Sequence, residues 1–322
     1  MLSNVLWFLV GLAALVAGAE VMVRGGVGVA ARFGISPIVI GLTVVSIGTS
    51  MPELAVGVVA AVEDNGALAV GNITGTNVVN LLLVLGLSAL LLPLALELRT
   101  LRVELPVMTG AAVLLWLLAF DGVLSRLDGV VLIVCAIVYT GAVVASARRE
   151  SREVASEFAE AYPQQPEPPG RTALNVVMTV VGVAVIVVGA ERLVDAAVGM
   201  ARGFGVSDAL IGLTVVAIGT SAPELVTTVV STLRRQRDIA VGNLLGSSIY
   251  NIILILGATC LVPAQGLSLP SQLVNIDIPI MVAATLVCIP IFITGRRVSR
   301  VEGGAMVAAY VAFLVFVLTT QT

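Results

Sequence analysis

Ten apolar runs of ~20 residues each fill most of the chain, near residues 3–23, 37–62, 67–94, 103–120, 129–147, 173–195, 208–232, 239–262, 273–294 and 303–320. A run of that length crosses the hydrocarbon core of a bilayer as a helix. Such a chain reads as an all-α integral membrane protein with ten transmembrane helices. Composition agrees: 58% of residues are hydrophobic and 11% charged, where soluble domains carry about 25% charged. The first run is taken as a span, not a cleaved signal, because no basic residue precedes it and Arg24 follows it.

The runs form two related sets of five. Residues 41–54 read GLTVVSIGTSMPEL and residues 212–225 read GLTVVAIGTSAPEL, with twelve of fourteen positions matching at an offset of 171. The same offset aligns GAE at 18–20 with GAE at 189–191, and AVGNITGTNVVN at 69–80 with AVGNLLGSSIYN at 240–251. Five is odd, so the two copies cross the membrane in opposite directions. The chain divides into a first five-helix half (1–147), a linker (148–172) and an inverted second half (173–322). Inverted repeats with interrupted helices, and a site at the midplane between them, characterise secondary transporters.

All 17 basic residues are Arg. Only Arg126, Arg192 and Arg202 lie in loops after even-numbered spans; the other fourteen follow odd-numbered ones. The positive-inside rule places the Arg-rich loops in the cytoplasm and both termini outside, in the cell's inner (plasma) membrane. The linker then lies in the cytoplasm. Its start can continue the fifth helix, with Glu153, Glu157 and Glu160 on one solvated face, before the Pro-rich PQQPEPPG.

Within the spans, Glu53 is the only charge in residues 37–62, and Pro52 stands directly before it. An ionised group at the centre of a spanning helix costs roughly 3 kcal/mol. No Arg lies mid-span to pair with it. Pro52 lacks the N–H that would reach the carbonyl of Gly48, so the helix should kink and free backbone oxygens near residues 46–49. Thr49 and Ser50 lie four and three positions before Glu53, close to its carboxylate. The second copy supplies Ala217, Thr220, Ser221 and Glu224. The third and eighth spans add Thr76, Asn80, Ser247 and Asn251. With no His in the chain, and Cys135, Cys260 and Cys288 set singly in apolar runs, every donor is a hard oxygen. That suits Ca²⁺ and Na⁺, not Zn²⁺ or Cu⁺. Two carboxylates balance one Ca²⁺; when it leaves, other cations must replace it, which is the germ of an exchange mechanism.

These repeats resemble the α-repeats of the cation/calcium exchanger superfamily, with their GTS-PE and GN--GSN segments. The match is strong over residues 18–86 and 189–257 and is closest to prokaryotic sodium/calcium exchangers. The resemblance implies antiport of Ca²⁺ against Na⁺ by alternating access, with spans 2, 3, 7 and 8 forming the site and spans 1 and 6 sliding as a gate. It implies ion ligands at Ser46 (backbone), Thr49, Ser50, Glu53, Thr76 and Asn80, and at Ala217 (backbone), Thr220, Ser221, Glu224, Ser247 and Asn251. Ser46 replaces a common Ala, which matters little if only its carbonyl binds. Asn251 stands where relatives often have Asp, which argues against potassium co-transport.

A proton-coupled antiporter of calcium or another divalent cation is the main rival, with Glu53 and Glu224 as proton acceptors. A non-transporting receptor or scaffold is a rival of another class. No enzymatic role or cofactor is expected. Ca²⁺ and Na⁺ are substrates and the lipid bilayer a partner, with no sign of nucleic acid or an obligatory protein partner. Glu20 with Arg24, and Glu191 with Asp195, read as interfacial anchors.

Overall fold

The computed structural model describes residues 2–33, 35, 37–96, 100–161, 171–204 and 217–320. The first half comprises α1 (Leu2–Phe33), α2 (Ile38–Thr49), α3 (Met51–Val62), α4 (Gly66–Leu91), α5 (Thr100–Leu118) and α6 (Arg126–Ala161). The second comprises α7 (Arg171–Gly203), α8 (Ala217–Thr220), α9 (Ala222–Leu233), α10 (Arg237–Cys260), α11 (Leu273–Arg296) and α12 (Arg300–Thr320). Among the described residues, eight helices are long and apolar enough to cross a membrane. The bent pair α2 and α3 makes a ninth span. Of the expected tenth, 208–232, the part before Ala217 lies outside the described residues; the rest is α8 and α9. The helical continuation of the fifth span reaches Ala161, while the side chains of Glu153, Glu157 and Glu160 lie outside the described residues.

The duplication is visible in the backbone. Both broken helices break at a serine, Ser50 (φ −84, ψ 8) and Ser221 (φ −83, ψ 3). Both turn at a left-handed residue after the break, Asp64 (φ 57) and Arg235 (φ 61). Wide π-turns recur in α4 (Val79–Val84) and α10 (Asn251–Leu256), and at the starts of α5 and α11. Gly122 (φ 84) and Gly295 (φ 70) occupy matching turns, in a conformation that glycine adopts most readily.

Two short strand pairs fix which loops share a face. β1 (Leu94–Ala95) pairs with β4 (Arg297–Val298), joining the loops after the third and ninth spans. β2 (Val123–Leu124) pairs with β3 (Leu267–Ser268), joining those after the fourth and eighth. The Glu20 carboxylate binds both Arg24 (2.6 Å) and Arg234 (2.5 Å), so the first and seventh loops also meet. On the other side, Gln265 donates to Asp64 (3.3 Å). The described Arg-rich loops therefore gather on one face, as alternate crossing requires.

α4 and α10 form the centre; every residue from Ile239 to Ile253 is buried. α1 and α7 lie antiparallel at the edge with their backbones in near contact. A Cβ added at Gly18 would stand 2.9 Å from the Gly182 carbonyl, and one at Gly11 would stand 2.8 Å from that of Gly189. Apolar side chains exposed on α1, α6 and α12, such as Trp7, Ile137 and Val301, suit a lipid surround.

Candidate cation-binding site

Pro52 and Pro223 sit in the first turn of α3 and α9, where a missing N–H costs nothing. The preceding serine leaves helical geometry, and α2 bends 41° from α3. The kink is as expected, but one consequence is not. The Ser46 carbonyl is not freed: it still accepts the Ser50 amide at 3.1 Å. It also lies near the hydroxyls of Thr49 (3.3 Å) and Ser247 (3.5 Å), within the polar cluster.

Each break places a carboxylate in the first turn of the following helix, where the helix dipole favours negative charge. Glu53 and Glu224 are both fully buried, near enough for their charges to repel. Their surroundings differ. One oxygen of Glu224 accepts from Ser50 (3.4 Å) and Ser247 (3.4 Å), and the Thr49 hydroxyl also faces this carboxylate. Neither oxygen of Glu53 meets a side-chain donor among the described residues, nor does the second oxygen of Glu224. Hydroxyls from both halves thus converge on Glu224 and leave Glu53 bare.

α4 and α10 carry further buried polar side chains. Asn80 is fully buried with both amide atoms unpartnered, and Asn251 has an unpartnered carbonyl oxygen. The Asn251 amide reaches Asn77 at 3.5 Å. Thr76, Ser221 and Ser247 are buried, with the Ser221 hydroxyl unpartnered; Thr220 is half-buried. Ala217 opens α8 one turn before Thr220, as Ser46 stands before Thr49. A buried polar atom without a partner is costly. Here such atoms belong to two acids, a hydroxyl and two amides, and their oxygens are of the hard kind that Ca²⁺ and Na⁺ take.

Several polar residues here had no role in the sequence reading. Asn243 accepts from Thr49 (3.2 Å) and donates to Thr228 (3.2 Å). Asn77 donates to the Ser248 carbonyl (3.2 Å). Asn77 and Asn243 lie in the repeated segments, which marks their position but not their partners. The Ser46 hydroxyl corrects the view that only its carbonyl matters. It donates toward the carbonyls of Gly41 (2.5 Å), Asn243 (3.0 Å) and Gly242 (3.3 Å), pinning α2 to α10. Away from the site, buried Glu104 accepts from Tyr139 (2.5 Å), which packs edge-on against Tyr250. Glu20 is held by two arginines, and Glu191 and Asp195 are exposed. Cys260 and Cys288 are buried. Among the described residues no three acidic or Cys side chains gather as a metal centre.

A profile of the sodium/calcium exchanger protein family matches residues 3–145 and 174–319. The putative antiporter CaxA of Alkalimonas amylolytica is 35% identical, over 97% of this chain and 98% of its own. The sodium/calcium exchanger MaX1 of Methanosarcina acetivorans is 33% identical, over 97% of each chain. The structure of the sodium-calcium exchanger NCX_Mj, soaked with Na⁺ and Sr²⁺, superposes with a TM-score of 0.83 at 29% identity, covering 97% of both chains.

Proposed function

The chain belongs to the sodium/calcium exchanger family, a multi-pass membrane antiporter of Na⁺ and Ca²⁺, and from that premise we propose where and how the exchange occurs. Ca²⁺ is held between Glu53 and Glu224, and the exchanged cations, Ca²⁺ and Na⁺ in turn, draw their remaining oxygens from Thr49, Ser50, Thr76, Asn80, Thr220, Ser221, Ser247 and Asn251. The carbonyls of Ser46 and Ala217 close the shell from either half. The observation that carries this reading is the set of unpartnered buried oxygens on Glu53, Glu224, Ser221, Asn80 and Asn251.

Two carboxylates neutralise one Ca²⁺. When it departs, two like charges remain in a low-dielectric site, and the carrier does not reorient until cations enter. Several Na⁺ ions do this by occupying adjacent oxygen clusters. Residues 1–147 and 173–322 supply half a site each, joined through 148–172. The Arg-rich face is cytoplasmic, both termini are outside, and the membrane is the cell's inner membrane. Potassium is not carried, because Asn80 and Asn251 offer dipoles without charge.

The test is ⁴⁵Ca²⁺ uptake into sodium-loaded proteoliposomes at equal pH on both sides. Uptake should require internal Na⁺ and proceed without K⁺. Uptake driven by a proton gradient without Na⁺ would favour the proton-coupled reading instead.

A further inference from the structure

The repeats diverge just past the carboxylates. Residues 51–62 read MPELAVGVVAAV and residues 222–233 read APELVTTVVSTL. Where α3 carries Val56, Gly57, Ala60 and Ala61, α9 carries Thr227, Thr228, Ser231 and Thr232. With Glu224 these follow the three- and four-residue spacing of a single helix face. All four are fully buried.

Buried hydroxyls in apolar helices ordinarily bond the carbonyl one turn back. Thr74 and Thr259 do so here, at 2.9 and 2.8 Å. The hydroxyls of Thr227, Ser231 and Thr232 have no partner, and that of Thr228 receives the Asn243 amide at 3.2 Å. α4 packs against α9 and contributes Ser88, also fully buried and unpartnered. Its counterpart in the other half, Thr259, bonds its own backbone and fills the space beside Gly57; a Cβ added there would lie 2.7 Å from the Thr259 hydroxyl. The same place is thus filled and apolar in one half, and lined with unsatisfied hydroxyls in the other. α9 runs from Glu224 to the turn at Arg234, on the Arg-rich face.

We propose that Thr227, Thr228, Ser231 and Thr232, with Ser88 and Asn243, line a path for cations between Glu224 and the Arg-rich face, closed in this conformation, where all six are fully buried, and hydrated when the site opens to that face. The path has no equivalent running from Glu53 along α3 to the opposite face. Neutral hydroxyl oxygens suit a partly hydrated Na⁺ or Ca²⁺ in transit, because they coordinate it without adding a charge that would trap it. The proposal rests on the exchange reading for its cargo, but the path itself is open to test without transport.

Cys135, Cys260 and Cys288 are replaced by Ala, and Ser231→Cys or Ala60→Cys is introduced singly. Sealed vesicles of either orientation are treated with membrane-impermeant methanethiosulfonates, one cationic and one anionic. Ser231→Cys should react only from the Arg-rich face, about tenfold faster with the cationic reagent. Ala60→Cys, at the equivalent position, should react from neither. Equal inertness at both positions, or equal labelling from both faces, would overturn the path. The double variant Thr227→Val, Ser231→Ala should slow sodium-dependent Ca²⁺ flux several-fold while equilibrium Ca²⁺ binding is unchanged, and Ser231→Thr should keep the wild-type rate. Unchanged flux in the double variant would also contradict the proposal. A wild-type protein whose Ca²⁺ flux ignores Na⁺ would refute the exchange reading, whatever the labelling pattern shows.

Discussion

Glu53 and Glu224 occupy equivalent positions in sequence yet differ in solvation, and the difference is measurable. Without a cation, Glu53 is a buried acid with no side-chain donor, whereas Glu224 keeps Ser50 and Ser247. Glu53→Gln should therefore stabilise the cation-free protein more than Glu224→Gln does, by about 1–3 kcal/mol. Thermal unfolding in chelator reads this directly, and the reverse order would show that the hydroxyls serve Glu53. Ser46→Ala removes the hydroxyl that ties α2 to α10. The expected cost is about 1 kcal/mol of stability with Ca²⁺ affinity nearly unchanged. A large fall in affinity at unchanged stability would make the hydroxyl a ligand. The acids, their hydroxyl neighbours and the prolines were legible in the sequence because a short motif carries them and the chain repeats it. Asn243, Thr228 and the Ser46 hydroxyl were not, because their roles depend on how α10 is set against α2 and α9. No local pattern encodes that placement.

At the scale of helices, the break at Ser50 and Ser221 and the inverted pairing of halves followed from Pro52, Pro223 and the odd span count. The π-turns in α4 and α10 were hidden, since a wide turn leaves no mark in an apolar run. The backbone contact of α1 with α7 was also unread, although Gly11, Gly18 and Gly25 recur every seven residues. That contact leaves no room for side chains. Gly18→Leu should destabilise the protein by about 1–3 kcal/mol and reduce the yield of folded protein in membranes. A substituted protein as stable as the wild type would mean that the two helices separate freely.

For the molecule as a whole, the distribution of Arg and the strand pairs β1–β4 and β2–β3 require two distinct faces. A cysteine at Gly295, in the Arg-rich loop before β4, should resist impermeant reagents applied to intact cells, while one at Gly122 should react. The opposite pattern would reverse the orientation in the membrane. The central claim is that both halves build one site, filled by Ca²⁺ and Na⁺ in turn. A unit charge about 4 Å from another is worth about 4 kcal/mol at an effective dielectric of 20, so loss of either carboxylate should weaken Ca²⁺ binding at least a hundredfold. The direct measurement is equilibrium ⁴⁵Ca²⁺ binding to the purified protein, to Glu53→Gln and to Glu224→Gln, across a Na⁺ titration. One site per chain, competed away by Na⁺ and lost in both variants, is the predicted result. Half the binding surviving in either variant, or binding indifferent to Na⁺, would contradict it.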